Sequence, residues 1–215
     1  MLRKRVLSLF LGLVTCLGTV IVSMISPGQA LIPSSGTSTD SSTVRPFLTA
    51  YPAYPVDHDL LTHLQAAEAV FLAQGGTQVR ARYVAVMRGK EVVPSAVNTL
   101  AFGTAGAILI GDRLVIRGDF SQLTSSLRDY TTDPLNPPNP NITSGVHIHR
   151  GTPDQNGPFQ YALTVEMRGD TAGRFRGEYT LTPEQKQALA NGQLYLDIHT
   201  KQNRAGELRG ILRPY

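Results

Sequence analysis

From about residue 77 onward, apolar and polar residues alternate with the period of two that marks a half-buried β-strand. The alternation predicts strands over residues 79–86, 99–110, 113–120, 145–149, 161–166, 173–179, 194–200 and 206–212. Gly111-Asp112, between the second and third of these, is a hairpin signal. Upstream, Leu60, Leu64, Ala67, Val70 and Phe71 recur at helical spacing. They predict a helix near 59–74, capped by Asp57 or Asp59, stopped by Gly75-Gly76 and docked on the main domain by its apolar face. A second, short helix is predicted near 182–191. Thr182 caps it, Pro183 takes the first helical position, Gln185 completes a capping box and Gly192 ends it. Pro134, Pro137, Pro138 and Pro140 predict a long irregular loop over 128–144. Many short strands with turn signals and little helix imply an all-β domain, an antiparallel β-sandwich or Greek-key barrel.

The N-terminal residues follow a different pattern. Arg3-Lys4-Arg5 precedes an apolar run over 6–25, and Gly28-Gln29-Ala30 offers small residues at both positions a signal peptidase reads. Residues 1–30 therefore read as a secretory signal peptide, with an uncleaved membrane anchor as the alternative. Residues 31–57 are rich in Ser, Thr and Pro and read as a disordered spacer. The domain reading is completed by an N-terminal helix over 58–76 and a main domain over 77–215.

Composition changes in meaning once the signal is set aside. The net charge is +4, but Arg3, Lys4 and Arg5 would leave with the signal, so that 17 of the 20 basic residues remain against 16 acidic ones. A near-neutral chain without a basic block does not suit nucleic acid. Cys16, the single cysteine, lies in the apolar run and would leave too, which excludes disulfides and thiolate metal sites from the mature chain. The expected location is exported: periplasmic, cell-surface or secreted from a bacterium. Membrane contact is expected only through the N-terminal segment if it stays uncleaved.

The candidate chemistry lies on two strands. In Gly145-Val146-His147-Ile148-His149, both histidines leave one face. In the strand around Leu194, the residues Tyr195, Asp197 and His199 share a face, while Leu194, Leu196 and Ile198 point to the core. If the strands are close, His147, His149 and His199 converge outside that core. Three neutral imidazoles suit copper or zinc with one position open. Asp197 would hold a ring N–H from behind. Glu207 and Arg209 alternate onto one face and read as a supporting ion pair. The alternative is a hydrogen-bond network of the three histidines on or under a loop. His58 and His63 read as surface histidines, Asn156-Gly157-Pro158 as a turn, and Arg80, Arg82, Arg88 and Lys90 as a solvated positive stripe. The residues suggest no catalytic set: no Ser/His/Asp arrangement, no Gly-rich phosphate loop and no clear base.

These segments, taken in order, resemble a known family. Gly145-Val146-His147-Ile148-His149, Asn156-Gly157-Pro158, Leu181-Thr182-Pro183-Glu184-Gln185, the run from Gly192 to Thr200, and Gly206-Glu207-Leu208-Arg209-Gly210 are similar to the CHRD domain, named for its occurrence in chordin. Glu91-Val92-Val93-Pro94 resembles an early element of the same family, and the resemblance covers roughly residues 77–214. Arg150 stands where the family commonly has glycine, Arg204-Ala205 replaces a Pro-Gly type turn, and the Pro-rich insert before Gly145 is long. The resemblance implies an immunoglobulin-like or superoxide-dismutase-like sandwich or barrel and no defined activity. Dismutase itself is an architectural analogy only, because a bridging zinc site and a disulfide are missing. The reading that follows is an exported, non-enzymatic binding module with an unidentified protein or glycan partner in the envelope. The alternative is a copper- or zinc-binding protein using the three histidines, and a metalloenzyme stands behind both.

Overall fold

The computed structural model describes residues 55–75 and 81–215. The signal-peptide and Arg80 readings lie outside these residues, as does the spacer up to residue 54; its last three residues, 55–57, belong to the first helix instead. The chain runs α1 (Pro55–Leu72), β1 (Ala81–Arg88), a 3-10 turn, β2 (Phe102–Ile110), β3 (Arg113–Ser121), β4 (Val146–Arg150), β5 (Phe159–Ala162), β6 (Thr164–Met167), β7 (Gly173–Thr180), α2 (Pro183–Ala190), β8 (Leu194–Ile198), β9 (Leu208–Ile211) and β10 (Arg213–Pro214).

The strands form one antiparallel sheet in the order β5-β4-β8-β9-β1-β2-β3-β7-β6, with β10 also on β1. The two outermost strands, β5 and β6, are consecutive in sequence and separated only by Leu163. The sheet therefore curls into a nearly closed barrel, the barrel form of the expected all-β fold. Residues 161–166, expected as one strand, are two: β5 pairs with β4 and β6 with β7. At the break, the Leu163 N–H donates to Val146 O (2.9 Å) and its side chain is buried. Tyr161 stacks on Tyr179 at 4.2 Å, and the Tyr179 hydroxyl donates to Ala162 O (2.7 Å), closing the seam.

Period-two alternation fills the barrel. Val146, Ile148, Leu194, Leu196, Ile198 and Leu208 join Leu114, Ile116, Phe120 and Phe175 in the interior. The capping box of α2 forms as expected: Gln185 N donates to the Thr182 hydroxyl, and Thr182 N donates to Gln185 Oε1. The first helix begins at Pro55, so Asp57 lies within its first turn and neither Asp57 nor Asp59 caps it. Proline suits the first helical position, because its missing N–H would have no partner there.

The expected apolar face of α1 packs Leu64, Ala67 and Phe71 onto Ile108 and Val115, on the outside of β2 and β3. Tyr83, on β1, is buried in the barrel core. The close approach of α1 depends on Gly106. A Cβ there would overlap the backbone nitrogen of Leu64 and lie 2.7 Å from the His63 carbonyl carbon. Against expectation, His63 is buried, with Nε2 3.3 Å from Asp119. His58 is exposed as expected. Gly106→Val should cost about 2 kcal/mol in urea unfolding and expose α1 to proteolysis, because the clash is with backbone that cannot rotate away.

Candidate metal centre

Strands β4 and β8 are direct neighbours, and their register sets His147 opposite Asp197 and His149 opposite Tyr195. His199 follows β8 on the same face, its N–H donating to Gly145 O (2.8 Å). The two histidine strands, whose proximity the sequence left open, therefore meet on the outer face of the barrel wall. That face is not at the surface. His147, His199, Asp197, Tyr195 and Arg209 are each at most 8 % exposed. Two irregular segments cover them, residues 122–145 and the 151–158 loop. A bulge in β5 adds Phe159 to the enclosure. It shifts the register so that Phe159, not Gln160, faces His149.

Each imidazole is tethered by a different loop. His147 Nε2 lies 2.6 Å from Ser144 O, His149 Nδ1 3.0 Å from Gly157 O, and His199 Nδ1 3.0 Å from Arg204 O. A carbonyl only accepts, so each of these ring nitrogens carries the proton and the opposite nitrogen of each ring holds a lone pair. One nitrogen from each ring lies within 4.8 Å of the other two, so a common centre is at most about 2.8 Å (4.8/√3) from each. A bound zinc takes imidazole nitrogens at about 2.0–2.1 Å, which asks the rings to close by about 0.7 Å. His149 Nε2 and His199 Nε2 are buried with no hydrogen-bond partner among the described residues.

The enclosure keeps the rings neutral. Burial, with the neighbouring His199 next in weight, lowers the His147 pKa to about 3. Burial likewise lowers His149 and His199. Aromatic rings wall the site. Tyr130 sits 5.4 Å from His147 and 6.4 Å from His199, Phe159 sits 5.3 Å from His147, and Tyr195 stacks on His149 at 5.4 Å.

The supporting residues differ from the expected arrangement in two ways. Asp197 holds no histidine. Both its oxygens accept from Arg209, at 2.8 Å from Nε and 2.7 Å from one terminal nitrogen. Glu207 does not pair with Arg209. It accepts from Thr99, Thr200 and both the backbone and hydroxyl of Thr124, all at 2.8–2.9 Å. Burial pushes the Glu207 carboxyl upward, but these donors outweigh it and hold the pKa below the usual value. One strand gives the reason: β9 pairs Arg209 with Asp197, while Glu207, before that strand begins, faces the hydroxyl-rich 122–126 segment.

Arg209 also reaches the covering loop, donating to Gln155 O (3.1 Å) and Asn156 Oδ1 (2.7 Å). Gly157 N donates to the Tyr195 hydroxyl (2.7 Å). Only glycine fits at position 157, because a Cβ would overlap Arg150 O and sit 3.0 Å from Gly151 N. Asn156-Gly157-Pro158 is thus the loop that orients His149. Arg128 serves the third tether, donating to Arg204 O (3.3 Å) while its guanidinium lies over Tyr130. Ser144, Gly157, Arg204, Arg128 and Tyr130 were not foreseen from the sequence. Carbonyl tethers carry no residue signature, and the 122–145 segment has no periodicity to orient Tyr130.

The chain belongs to the CHRD domain family, whose model matches residues 83–212. Comparison with curated proteins and with solved structures gave no match.

Two outcomes follow from the buried charges and rings. Arg209→Met strands the Asp197 carboxylate and should cost about 3–5 kcal/mol by chemical denaturation, most of it regained in the Asp197→Asn/Arg209→Met double variant. The pKa of His147 is lower folded than unfolded, so its contribution to metal-free stability is full above about pH 6.5 and is lost as pH falls toward 3. The slope should be about 1.4 kcal/mol per pH unit for each ring kept neutral, and flatter in His147→Gln.

Proposed function

We propose that this CHRD domain is a metal-binding module of an exported protein, with His147, His149 and His199 holding one divalent copper or zinc ion. The observation that carries the reading is the pair of buried, unpartnered acceptor nitrogens on His149 and His199, in a trio of rings that each bring one nitrogen within 4.8 Å of the other two. A purely structural histidine network would engage both nitrogens of each ring. Here the loops engage one nitrogen per ring, the arrangement that fixes tautomer and orientation in metal-bound histidines. The all-nitrogen donor set favours Zn(II) or Cu(II) over metals that prefer thiolate or thioether. Export is supported by the pattern of residues 3–30.

A second reading, a module for a glycan partner, is favoured by a groove of about 570 Å³ between α1 and strands β3, β6 and β7. Arg117, Arg174 and Arg176 line it together with Asp59, Asp119 and Glu166. That balanced, donor- and acceptor-rich lining suits a neutral, hydroxyl-bearing ligand.

Titration of the full chain with Cu(II) and Zn(II) tests the first reading. Calorimetry should show one ion per chain at micromolar affinity or better. Binding should be abolished in His147→Ala/His149→Ala/His199→Ala. Because burial favours the neutral form of all three rings, uptake should release fewer protons from them than from histidines of ordinary pKa, seen as a weaker dependence of the binding enthalpy on the buffer's ionisation enthalpy. Equal binding by the triple variant would refute the metal reading and turn attention to the groove.

A further inference from the structure

We infer that the metal-loaded centre binds one small monodentate anion at the metal, in competition with hydroxide; this rests on the metal reading above. The argument is one of charge. Three neutral imidazoles leave a divalent ion with its full double charge. The carboxylates near the site are already committed. Asp197 gives both oxygens to Arg209, and Asp133 is paired with Arg128 and Arg204. The ring N–H groups go to backbone carbonyls, not to carboxylates that would lend the imidazoles negative character. The remaining polar neighbours, Tyr130 and Tyr195, have pKa values raised by burial and are neutral at pH 7.

Three guanidinium groups and two carboxylates thus surround the ion and add no net negative charge. A doubly charged centre shielded from water is costly, and an anion in the fourth position relieves that cost. Water bound there would do the same by ionising near neutral pH. The walls set the size of the anion. Tyr130 and Phe159 pack within 5.4 Å of the His147 ring, and Tyr195 stacks on His149 at 5.4 Å. Rings packed this close to the centre favour a one-point ligand such as hydroxide, azide or a halide over a chelating di- or tricarboxylate.

The experiment uses the full chain loaded with one equivalent of Cu(II), freed of excess metal and titrated with azide. An azide-to-copper charge-transfer band should appear and saturate at one azide per copper, with a matching change in the electron paramagnetic resonance spectrum. Above the ionisation of the bound water, apparent azide affinity should fall about tenfold per pH unit, since hydroxide then holds the position. A chain that retains copper but gives no new band with azide would overturn the anion inference and leave the metal reading standing. A chain that retains neither Cu(II) nor Zn(II) would end both.

Discussion

The ion pair between Arg209 and Asp197 is the constraint on which the site depends. It lies on the outside of the barrel wall, where two charges would ordinarily stay in water, yet both side chains are almost fully buried. Burial of such a pair is tolerable only when the remaining donors are satisfied. Arg209 meets that condition by reaching past Asp197 to Gln155 and Asn156, and its guanidinium lies 4.2 Å over the Tyr195 ring. The loop so held presents Gly157 O to His149, and the same Tyr195 stacks on that histidine. One interaction thus fixes the cover, the tautomer of a ring and one wall of the enclosure. Glu207 plays the corresponding part at the other end, gathering Thr99, Thr124 and Thr200 and so holding the 122–126 segment against the strand that leads from His199.

What could be read from the sequence follows from what is periodic in it. Alternation of period two placed His147 and His149 on one face and Tyr195, Asp197 and His199 on one face, and those assignments depend on nothing beyond the strand itself. The capping box at Thr182 was equally local. Convergence of the two strands was not legible, because adjacency of β4 and β8 is a property of the closed sheet. Nor was burial. The cover comes from the Pro-rich and 151–158 segments, which have no period, and a face that looks polar along the strand becomes interior once they fold over it. The misassignment of Glu207 and Arg209 as partners has the same origin: Arg209 takes its partner from the neighbouring strand β8, while Glu207 takes its partners, Thr99, Thr124 and Thr200, from loop segments that carry no period. His63 misled for a related reason. Its helical position borders the apolar stripe, and the missing side chain of Gly106 lets the helix sink until the ring meets Asp119.

Two of the three departures from the resemblance, the turn at 204–205 and the insert before Gly145, fall where the third tether is built. Arg204 stands in place of a Pro-Gly type turn, and the long insert before Gly145 carries Arg128, Tyr130 and Asp133. In the fold these meet: Asp133 pairs with both Arg128 and Arg204, and Arg128 bonds the Arg204 carbonyl that also receives the His199 ring. With the insert folded over it, the carbonyl is fixed from two sides, and the guanidinium that fixes it also supports Tyr130 against His147 and His199. The insert and the altered turn are therefore one physical unit. Their joint effect is to fix the His199 ring through the Arg204 carbonyl and to hold Tyr130 beside His147 and His199.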